Sequence, residues 1–170
     1  AYELLGTLKA AGIRAKIDDS DNSTGWKFSE YEMKGVPLRL EIGPRDMEQD
    51  QCVIVRRDNR EKTVVPLAEL TTAVPKLLSD LHEGLYKAAK ERTERMTYDA
   101  HSMEELKDIA ANKPGFIRAM WCGDPECEEK LKDEPGVSSR CMPFDAEAIG
   151  DTCVCCGKKA KALTYWGKAY

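Results

Sequence analysis

The sequence predicts an α/β fold, followed by a helical segment and a small α+β domain organised around a metal ion. Helical and strand patterns alternate over residues 2–65, a long helical pattern covers about 67–111, and six of the seven cysteines fall in the last third. Alternation of helices and strands favours a layered domain with a mixed, mostly parallel sheet. We therefore expect three parts: residues 1–66, 67–112 and 113–170.

The composition is that of a soluble globular chain. It has 170 residues, 33% of them charged, and a formal net charge of −4, which suits one ordinary domain or two small ones. No run approaches the roughly 18 apolar residues of a membrane span, and no leader precedes Ala1, so we expect a cytoplasmic mature product or excised piece. The acidic balance argues against broad nucleic-acid binding but leaves room for a local site.

The first part contains two helix patterns and up to four strand patterns. Apolar residues recur at helical spacing over residues 2–11, and Gly12 ends the run. Residues 26–34 predict a short helix closed by Gly35. Strands are predicted at 13–17, 38–42, 52–55 and 63–65, the first two from strict alternation of apolar and polar residues.

The second part is predicted to be helical throughout. Its first half carries one apolar stripe, formed by Leu70, Val74, Leu77, Leu78, Leu81 and Leu85. Pro75 lies either in the first turn of this helix or at a kink. The segment from Ser102 to Glu105 is a capping box that opens a short second helix.

The third part is predicted to contain a strand at 116–121 and a short helix at 125–132. Lys113-Pro114-Gly115 separates it from the preceding helix. Its apolar residues are few, so we expect it to depend on more than its own hydrophobic core.

Two short-spaced cysteine pairs predict a metal site: Cys122-Gly-Asp-Pro-Glu-Cys127 and Cys153-Val-Cys155-Cys156-Gly. Structural zinc takes four thiolate or imidazole donors, usually supplied as two such pairs. A Cys-x-x-Cys-Gly turn is a better knuckle than Cys-x-Cys, so the expected ligands are Cys122, Cys127, Cys153 and Cys156, with Cys155 possible in place of Cys156.

Two other interpretations of the cysteines stay open, namely buried thiols without metal and a redox Cys-x-x-Cys. The redox interpretation lacks a thioredoxin-like strand–motif–helix context. Cys141 is either a further ligand or a packed thiol. No catalytic residue is expected, because the sequence has no metalloprotease, nucleophile-elbow, phosphate-loop or dinucleotide motif. His82 and His101 are expected to be solvated.

Residues 26–45 combine aromatic and charged side chains in a pattern that suits an unpaired guanine. Phe28 and Glu32 would share one helix face, and Arg39 and Glu41 would share the polar face of the next strand. An aromatic ring can stack on the base, a carboxylate can accept from its N1 and N2 hydrogens, and arginine can donate to O6 or N7. The competing interpretation, an amphipathic helix with surface salt bridges, is favoured by composition alone.

Residues 25–46, Gly-Trp-Lys-Phe-Ser-Glu-Tyr-Glu-Met-Lys-Gly-Val-Pro-Leu-Arg-Leu-Glu-Ile-Gly-Pro-Arg-Asp, resemble the anticodon-binding domain of prolyl-tRNA synthetase of the archaeal and eukaryotic-like type. Trp121-Cys-Gly-Asp-Pro-Glu-Cys-Glu-Glu-Lys and the final Trp-Gly-Lys-Ala-Tyr resemble that family's zinc-binding extension. The resemblance implies a three-layer anticodon-binding domain over 1–66, a helical connector over 67–112 and a zinc-binding C-terminal domain over 113–170.

The resemblance also implies roles for individual residues. Phe28, Glu32, Arg39 and Arg45 match positions that contact the adjacent guanines of the proline anticodon, although the family usually has Lys at the position of Arg45. Tyr170 matches a terminal tyrosine whose carboxylate reaches back towards the active site. The zinc ligands match Cys122, Cys127 and Cys153, with the fourth at Cys155 or Cys156.

For the full-length parent, the resemblance implies a homodimeric ligase that attaches proline to tRNA(Pro) through prolyl-adenylate. ATP and Mg²⁺ would bind a catalytic domain that this chain lacks, so the chain alone should be inactive. Its expected partners are the tRNA(Pro) anticodon loop and that catalytic domain, with no membrane. The alternative is a free-standing, zinc-stabilised RNA-binding or regulatory module that shares the anticodon-binding fold.

Overall fold

The computed structural model describes residues 1–168, and the chain divides into two compact units, Ala1–Ala88 and Ala89–Tyr170. The first unit contains α1 (Tyr2–Ala10), α2 (Thr24–Met33), β1 (Leu38–Glu41), α3 (Pro44–Glu48), β2 (Gln51–Arg56) and β3 (Lys62–Pro66). After a 3-10 turn (Leu67–Glu69), α4 (Leu70–Arg95) runs from the first unit into the second. The second unit continues with β4 (Thr97–Asp99), α5 (Met103–Asn112), β5 (Phe116–Trp121), α6 (Pro125–Asp133), β6 (Val137–Cys141) and β7 (Ala162–Lys168).

The sheet of the first unit has the order β1-β2-β3, and both of its strand pairs are antiparallel. The α/β class is confirmed, whereas the strand directions differ from the mostly parallel sheet that the sequence predicts. The reason is the length of the connections. Parallel neighbours need a crossover of a dozen or more residues, but only the five-residue α3 and its short flanks join β1 to β2, and a tight turn joins β2 to β3.

Residues 13–17 differ from the prediction in another way. Their side chains alternate between half-buried and exposed, as the pattern indicates, and Ile13 and Ala15 pack on the core of the first unit. However, within residues 1–168 this segment pairs with no strand. The alternation therefore predicted the burial correctly but not the ladder.

The core of the first unit lies between the sheet and its helices. Cys52, Ile54 and Leu70 have no exposed surface, and Leu81 and Val74 extend this core along α4. Pro75 lies inside α4 rather than in its first turn. No helix in residues 1–168 is long and apolar enough to cross a membrane.

The second unit has a mixed sheet of order β4-β5-β7-β6, in which only the β4–β5 pair is parallel. The sequence predicts unbroken helix around β4 and misses this strand, because three residues are too few to show a period. The predicted Ser102 cap of α5 is confirmed, since Ser102 Oγ accepts from the Glu105 N–H at 3.1 Å. The reciprocal bond of a capping box is displaced by one residue, because the Glu105 carboxylate accepts from the His101 N–H at 2.8 Å rather than from that of Ser102.

The second unit also has a larger apolar core than the sequence predicts. Trp166, Leu131 and Leu106 have no exposed surface, and the Trp121 ring meets Trp166 edge to face, with the ring centres 6.1 Å apart. Leu106 belongs to α5, within the segment that the sequence assigns to a connector. This helix completes the core, which explains why residues 113–170 look poor in apolar side chains by themselves.

Candidate functional site

A group of four side chains on α2 and β1, named here the α2–β1 cluster, consists of Phe28, Glu32, Arg39 and Glu41. The Arg39 guanidinium lies 3.6 Å from the centre of the Phe28 ring. Arg39 Nη1 lies 3.1 Å from Glu32 Oε1, and Arg39 Nε lies 2.8 Å from Glu41 Oε1. One aromatic face and two carboxylates therefore hold the guanidinium plane in one orientation.

The local sequence positions this cluster. Ser23 caps α2 by accepting from the Trp26 N–H at 3.4 Å, and the helix then places Phe28 and Glu32 four residues apart on one face. Gly35, with φ +77°, ends the helix and turns the chain into β1. The β1–β2 register sets Arg39 opposite Val55 and thereby fixes its position beside α2.

The cluster is open to solvent on one side. The Glu32 side chain is 36% exposed, and Arg60 Nη2 lies 4.0 Å from Glu32 Oε2. Lys62 Nζ lies 4.0 Å from Glu41 Oε2. Sequence patterns alone do not place Arg60 and Lys62 at this site, because they follow Arg39 by about 20 residues. The signal that places Lys62 near Arg39 is strand register, because both residues pair with Val55 of the central strand β2.

Arg45, the fourth residue expected at the site, is placed differently. It is exposed in α3, a helix that begins at Pro44 and whose Asp46 side chain accepts from the Gly43 N–H at 2.9 Å. Among the residues that the structure describes, no hydrogen bond, ion pair or ring contact joins Arg45 to the α2–β1 cluster. The fold thus brings Phe28 and Glu32 together at Arg39, whereas Arg45 lies exposed on the following helix.

The second candidate site is a cluster of four thiols in the second unit. The sulfur atoms of Cys122, Cys127, Cys153 and Cys156 all lie within 4.8 Å of one another. The Sγ–Sγ distances from Cys122 to Cys127 and to Cys156 are both 3.8 Å. A tetrahedral zinc site with Zn–S bonds of about 2.3 Å has sulfurs about 3.8 Å apart, so this donor set fits zinc.

Two turns and one helix aim the thiols inward. Cys122 directly follows β5, and Gly123, with φ +82°, turns the chain towards Cys127 in α6. In the other pair, the Gly157 N–H donates to the Cys153 carbonyl at 2.9 Å, and Gly157 has φ +69°. The site therefore joins β5 and α6 to a loop some 30 residues away in sequence.

The electrostatics of the thiols differ from one to the next. Burial raises the pKa of Cys127 well above the ordinary range, and it also raises the pKa of Cys122. Burial by itself would raise the pKa of Cys153. Hydrogen bonds to its sulfur from the backbone N–H groups of Cys156, Cys155 and Cys122 have the larger combined effect, and they lower this pKa to about 7. Backbone donors aimed at a sulfur stabilise the thiolate, which is the form that binds a metal.

The other predicted positions lie outside these two clusters. Cys155 is half-buried beside the thiol cluster, and Cys141 is exposed at the end of β6; neither belongs to the group of four. His82 and His101 are both exposed, as expected. Tyr170 lies outside the described residues.

Both candidate sites lie in segments that match models of known protein families. Residues 1–77 match the family model "Anticodon binding domain", and residues 103–170 match "Prolyl-tRNA synthetase, C-terminal". A proline–tRNA ligase of Clostridium botulinum strain Loch Maree is 58% identical over 93% of this chain and 33% of its own length. That of Lachnospira eligens is 55% identical over 100% of this chain and 36% of its own length.

A solved structure agrees with these matches. Prolyl-tRNA synthetase from Cryptosporidium parvum, in complex with L-proline and AMP, superposes with a TM-score of 0.89 at 38% identity, covering 99% of this chain and 36% of that one. Fold and site thus define the anticodon-binding region of an aminoacyl-tRNA synthetase. More narrowly, the chain belongs to the prolyl-tRNA synthetase family and carries its anticodon-binding and C-terminal domains. It spans about a third of the length of the curated relatives it matches.

Proposed function

We propose that this chain is the tRNA-recognition part of a proline–tRNA ligase and that it reads the guanines of the proline anticodon through Phe28, Glu32 and Arg39. The observation that carries the proposal is the placement of Arg39 against Phe28 and Glu32, at 3.6 Å from the ring centre and 3.1 Å from the carboxylate. This arrangement lies inside the part of the chain that matches the anticodon-binding model.

The chemistry of guanine fits the groups that the cluster presents. Guanine carries donors at N1 and N2 and acceptors at O6 and N7, and unpaired RNA bases expose these edges. Glu32 is half-exposed and accepts from the N1 and N2 hydrogens. Arg39 uses Nε and Nη1 for the two carboxylates among the described residues, which leaves Nη2 to donate to the base. Arg45, at the start of α3, approaches the second guanine of the pair.

The four thiols hold one structural zinc ion. Cys122, Cys127, Cys153 and Cys156 would supply all four ligands of a tetrahedral ion, which would leave no position for substrate. The ion links β5 and α6 to the 153–157 turn. Zinc therefore stabilises the second unit and takes no part in the reaction.

The whole protein is proposed to attach proline to tRNA(Pro) with ATP and Mg²⁺, as a cytoplasmic homodimer whose catalytic domain lies outside this chain. Support comes from relatives named proline–tRNA ligase and from a neighbour solved with L-proline and AMP. The proposed division is an anticodon-binding domain over 1–66, a connector over 67–112 and a zinc domain over 113–170. The Tyr170 carboxylate is proposed to support the distant active site.

Binding of a tRNA(Pro) anticodon stem-loop tests the recognition proposal. We expect wild type to prefer the natural loop over a loop with adenines in place of the two guanines. Glu32→Gln should remove about 1–3 kcal/mol of that preference, because the amide presents a donor where the base also donates. Fluorescence titration of labelled stem-loops measures both affinities.

Glu3→Gln is the matched control, since Glu3 is an exposed carboxylate in the first turn of α1. It should leave the guanine preference unchanged. Equal binding of both loops by wild type, or an unchanged guanine preference in Glu32→Gln, would contradict the proposal that α2 reads the anticodon.

A further inference from the structure

The β2–β3 hairpin, residues 56–62, carries cationic side chains that take no part in the proposed contacts with the bases. Resting on the proposed function, we propose that Arg60 and Lys62 bind the RNA phosphates that flank the guanines read by Glu32 and Arg39. The hairpin would then hold the backbone of the loop while α2 and β1 contact its bases. The ligand chemistry is that of a single-stranded RNA phosphodiester.

The placement of the two cations is the first support. Arg60 Nη2 lies 4.0 Å from Glu32 Oε2, and Lys62 Nζ lies 4.0 Å from Glu41 Oε2. Both therefore border the α2–β1 cluster on its open side. Their side chains are 82% and 65% exposed, so a bound strand can reach them without displacing any part of the fold.

The weakness of these two ion pairs is the second support. Exposed pairs at this distance contribute little to stability and are readily exchanged. In contrast, Arg56 in the same hairpin is committed to Asp58, with Nη2 2.8 Å and Nε 3.1 Å from its carboxylate. Of the four cations in residues 56–62, Arg56 is thus held within the hairpin, whereas Arg60 and Lys62 can move to phosphate.

Hydrogen bonds of the hairpin turn fix the backbone position of Arg60. The Arg60 N–H donates to the Arg56 carbonyl at 3.0 Å, and the Arg56 N–H donates to the Glu61 carbonyl at 3.0 Å. Asn59 Oδ1 accepts from the Glu61 N–H at 2.9 Å. Arg60 itself has φ +61°, a conformation uncommon for residues other than glycine. The turn keeps Arg60 in this conformation, and its guanidinium lies beside Glu32.

Electrostatics supply the third support. Glu32 and Glu41 place two negative charges where an RNA strand must approach, in a chain whose formal net charge is −4. Arg39 offsets one carboxylate from within the cluster. Without further cations the phosphates of the loop would be repelled, and Arg60 and Lys62 supply those cations at the rim.

The test compares the double variant Arg60→Ala/Lys62→Ala with wild type in the full 170-residue chain. Affinity for the natural and the adenine-substituted stem-loops is measured over a range of NaCl concentrations. Each lost phosphate contact lowers the slope of log affinity against log salt by roughly 0.7 for single strands. We therefore expect the double variant to lose roughly 1.4 from the slope, with the guanine-over-adenine ratio unchanged.

Two matched variants complete the design. Lys9→Ala/Lys76→Ala removes the same charge from exposed positions on α1 and α4, and should leave the slope close to that of wild type. Arg60→Lys/Lys62→Arg keeps the charge and should keep the slope. A slope in the hairpin variant equal to that of the Lys9/Lys76 control would overturn the proposal.

Loss of the guanine-over-adenine ratio in the hairpin variant would also overturn the proposal, since the cations would then read bases. The proposed function fails by a different result, namely equal binding of both loops by wild type. The two failures are therefore distinguishable within one set of titrations.

Discussion

The Arg39 guanidinium lies 3.6 Å from the centre of the Phe28 ring, between the carboxylates of Glu32 and Glu41. This contact orients the arginine before any RNA is bound. A side chain that is already ordered loses less conformational freedom on binding than a free one. In the proposed recognition, Phe28 would therefore act through the orientation of Arg39 as well as by stacking.

We predict that Phe28→Ala weakens binding of the natural anticodon stem-loop by about 1–3 kcal/mol, the usual value of one aromatic–base stack. Phe28 is only half-buried, so the substitution should leave the fold intact. Titration of the labelled stem-loop measures the loss, and circular dichroism checks the fold. Tyr86→Ala provides the comparison, because Tyr86 is a 66% exposed aromatic on α4. Similar affinities for the two variants would contradict a role for Phe28.

We predict that Cys122→Ser lowers bound zinc to well below one per chain and destabilises the second unit. The proposed ion would join β5, α6 and the 153–157 turn, and structural zinc supplies folding free energy. Hydrogen exchange should become faster in β5 and β7 while β2 stays protected, because the apolar core around Ile54 and Leu70 lies within the first unit. The core around Trp166 should preserve part of the second unit.

Cys141→Ser is the control for this prediction, since Cys141 is exposed and lies outside the thiol cluster; it should bind zinc as wild type does. The pair Cys155→Ser and Cys156→Ser distinguishes the fourth ligand. Only Cys156→Ser should lose zinc. The opposite result would assign the fourth ligand to Cys155, and full zinc occupancy in Cys122→Ser would exclude the proposed site.

We predict that Gly115→Ala destabilises the second unit by more than about 2 kcal/mol. Gly115 has φ +129°, and a Cβ built on it would lie 2.0 Å from the Met96 carbonyl oxygen, which also accepts from the Phe116 N–H at 2.8 Å. The methyl group would have to separate β4 from β5. Hydrogen exchange at the β5 amides measures the loss.

Gly136→Ala separates the steric effect from the conformational one. Gly136 also has a positive φ, +72°, but a Cβ there would meet nothing within 4 Å. It should cost about 1–2 kcal/mol, the usual penalty of the left-handed conformation. Equal losses at the two positions would mean that the contact with Met96 is unimportant.

Local patterns in the sequence predicted most of the elements. The α2 helix, its Gly35 terminator, the β5 strand and the Ser102 cap are each decided by residues within one or two turns of themselves, so spacing alone finds them. The choice of four cysteines from seven has the same origin: a short turn brings each pair together whatever the rest of the chain does.

Features that depend on distant residues were not accessible in this way. The antiparallel order of β1, β2 and β3, the missing ladder at residues 13–17 and the three-residue β4 depend on partners elsewhere in the chain.

The sequence by itself determined which side chains this protein presents: a ring, carboxylates and guanidinium groups within residues 28–45, and two pairs of thiols in the last third. Only the tertiary structure decided which of them meet. It placed Arg39 against Phe28, brought Arg60 and Lys62 to the rim of the same cluster, and joined Cys122 to Cys156 across 34 residues. The physical reason is that local spacing sets the direction of a side chain, whereas strand register and loop closure set its neighbours.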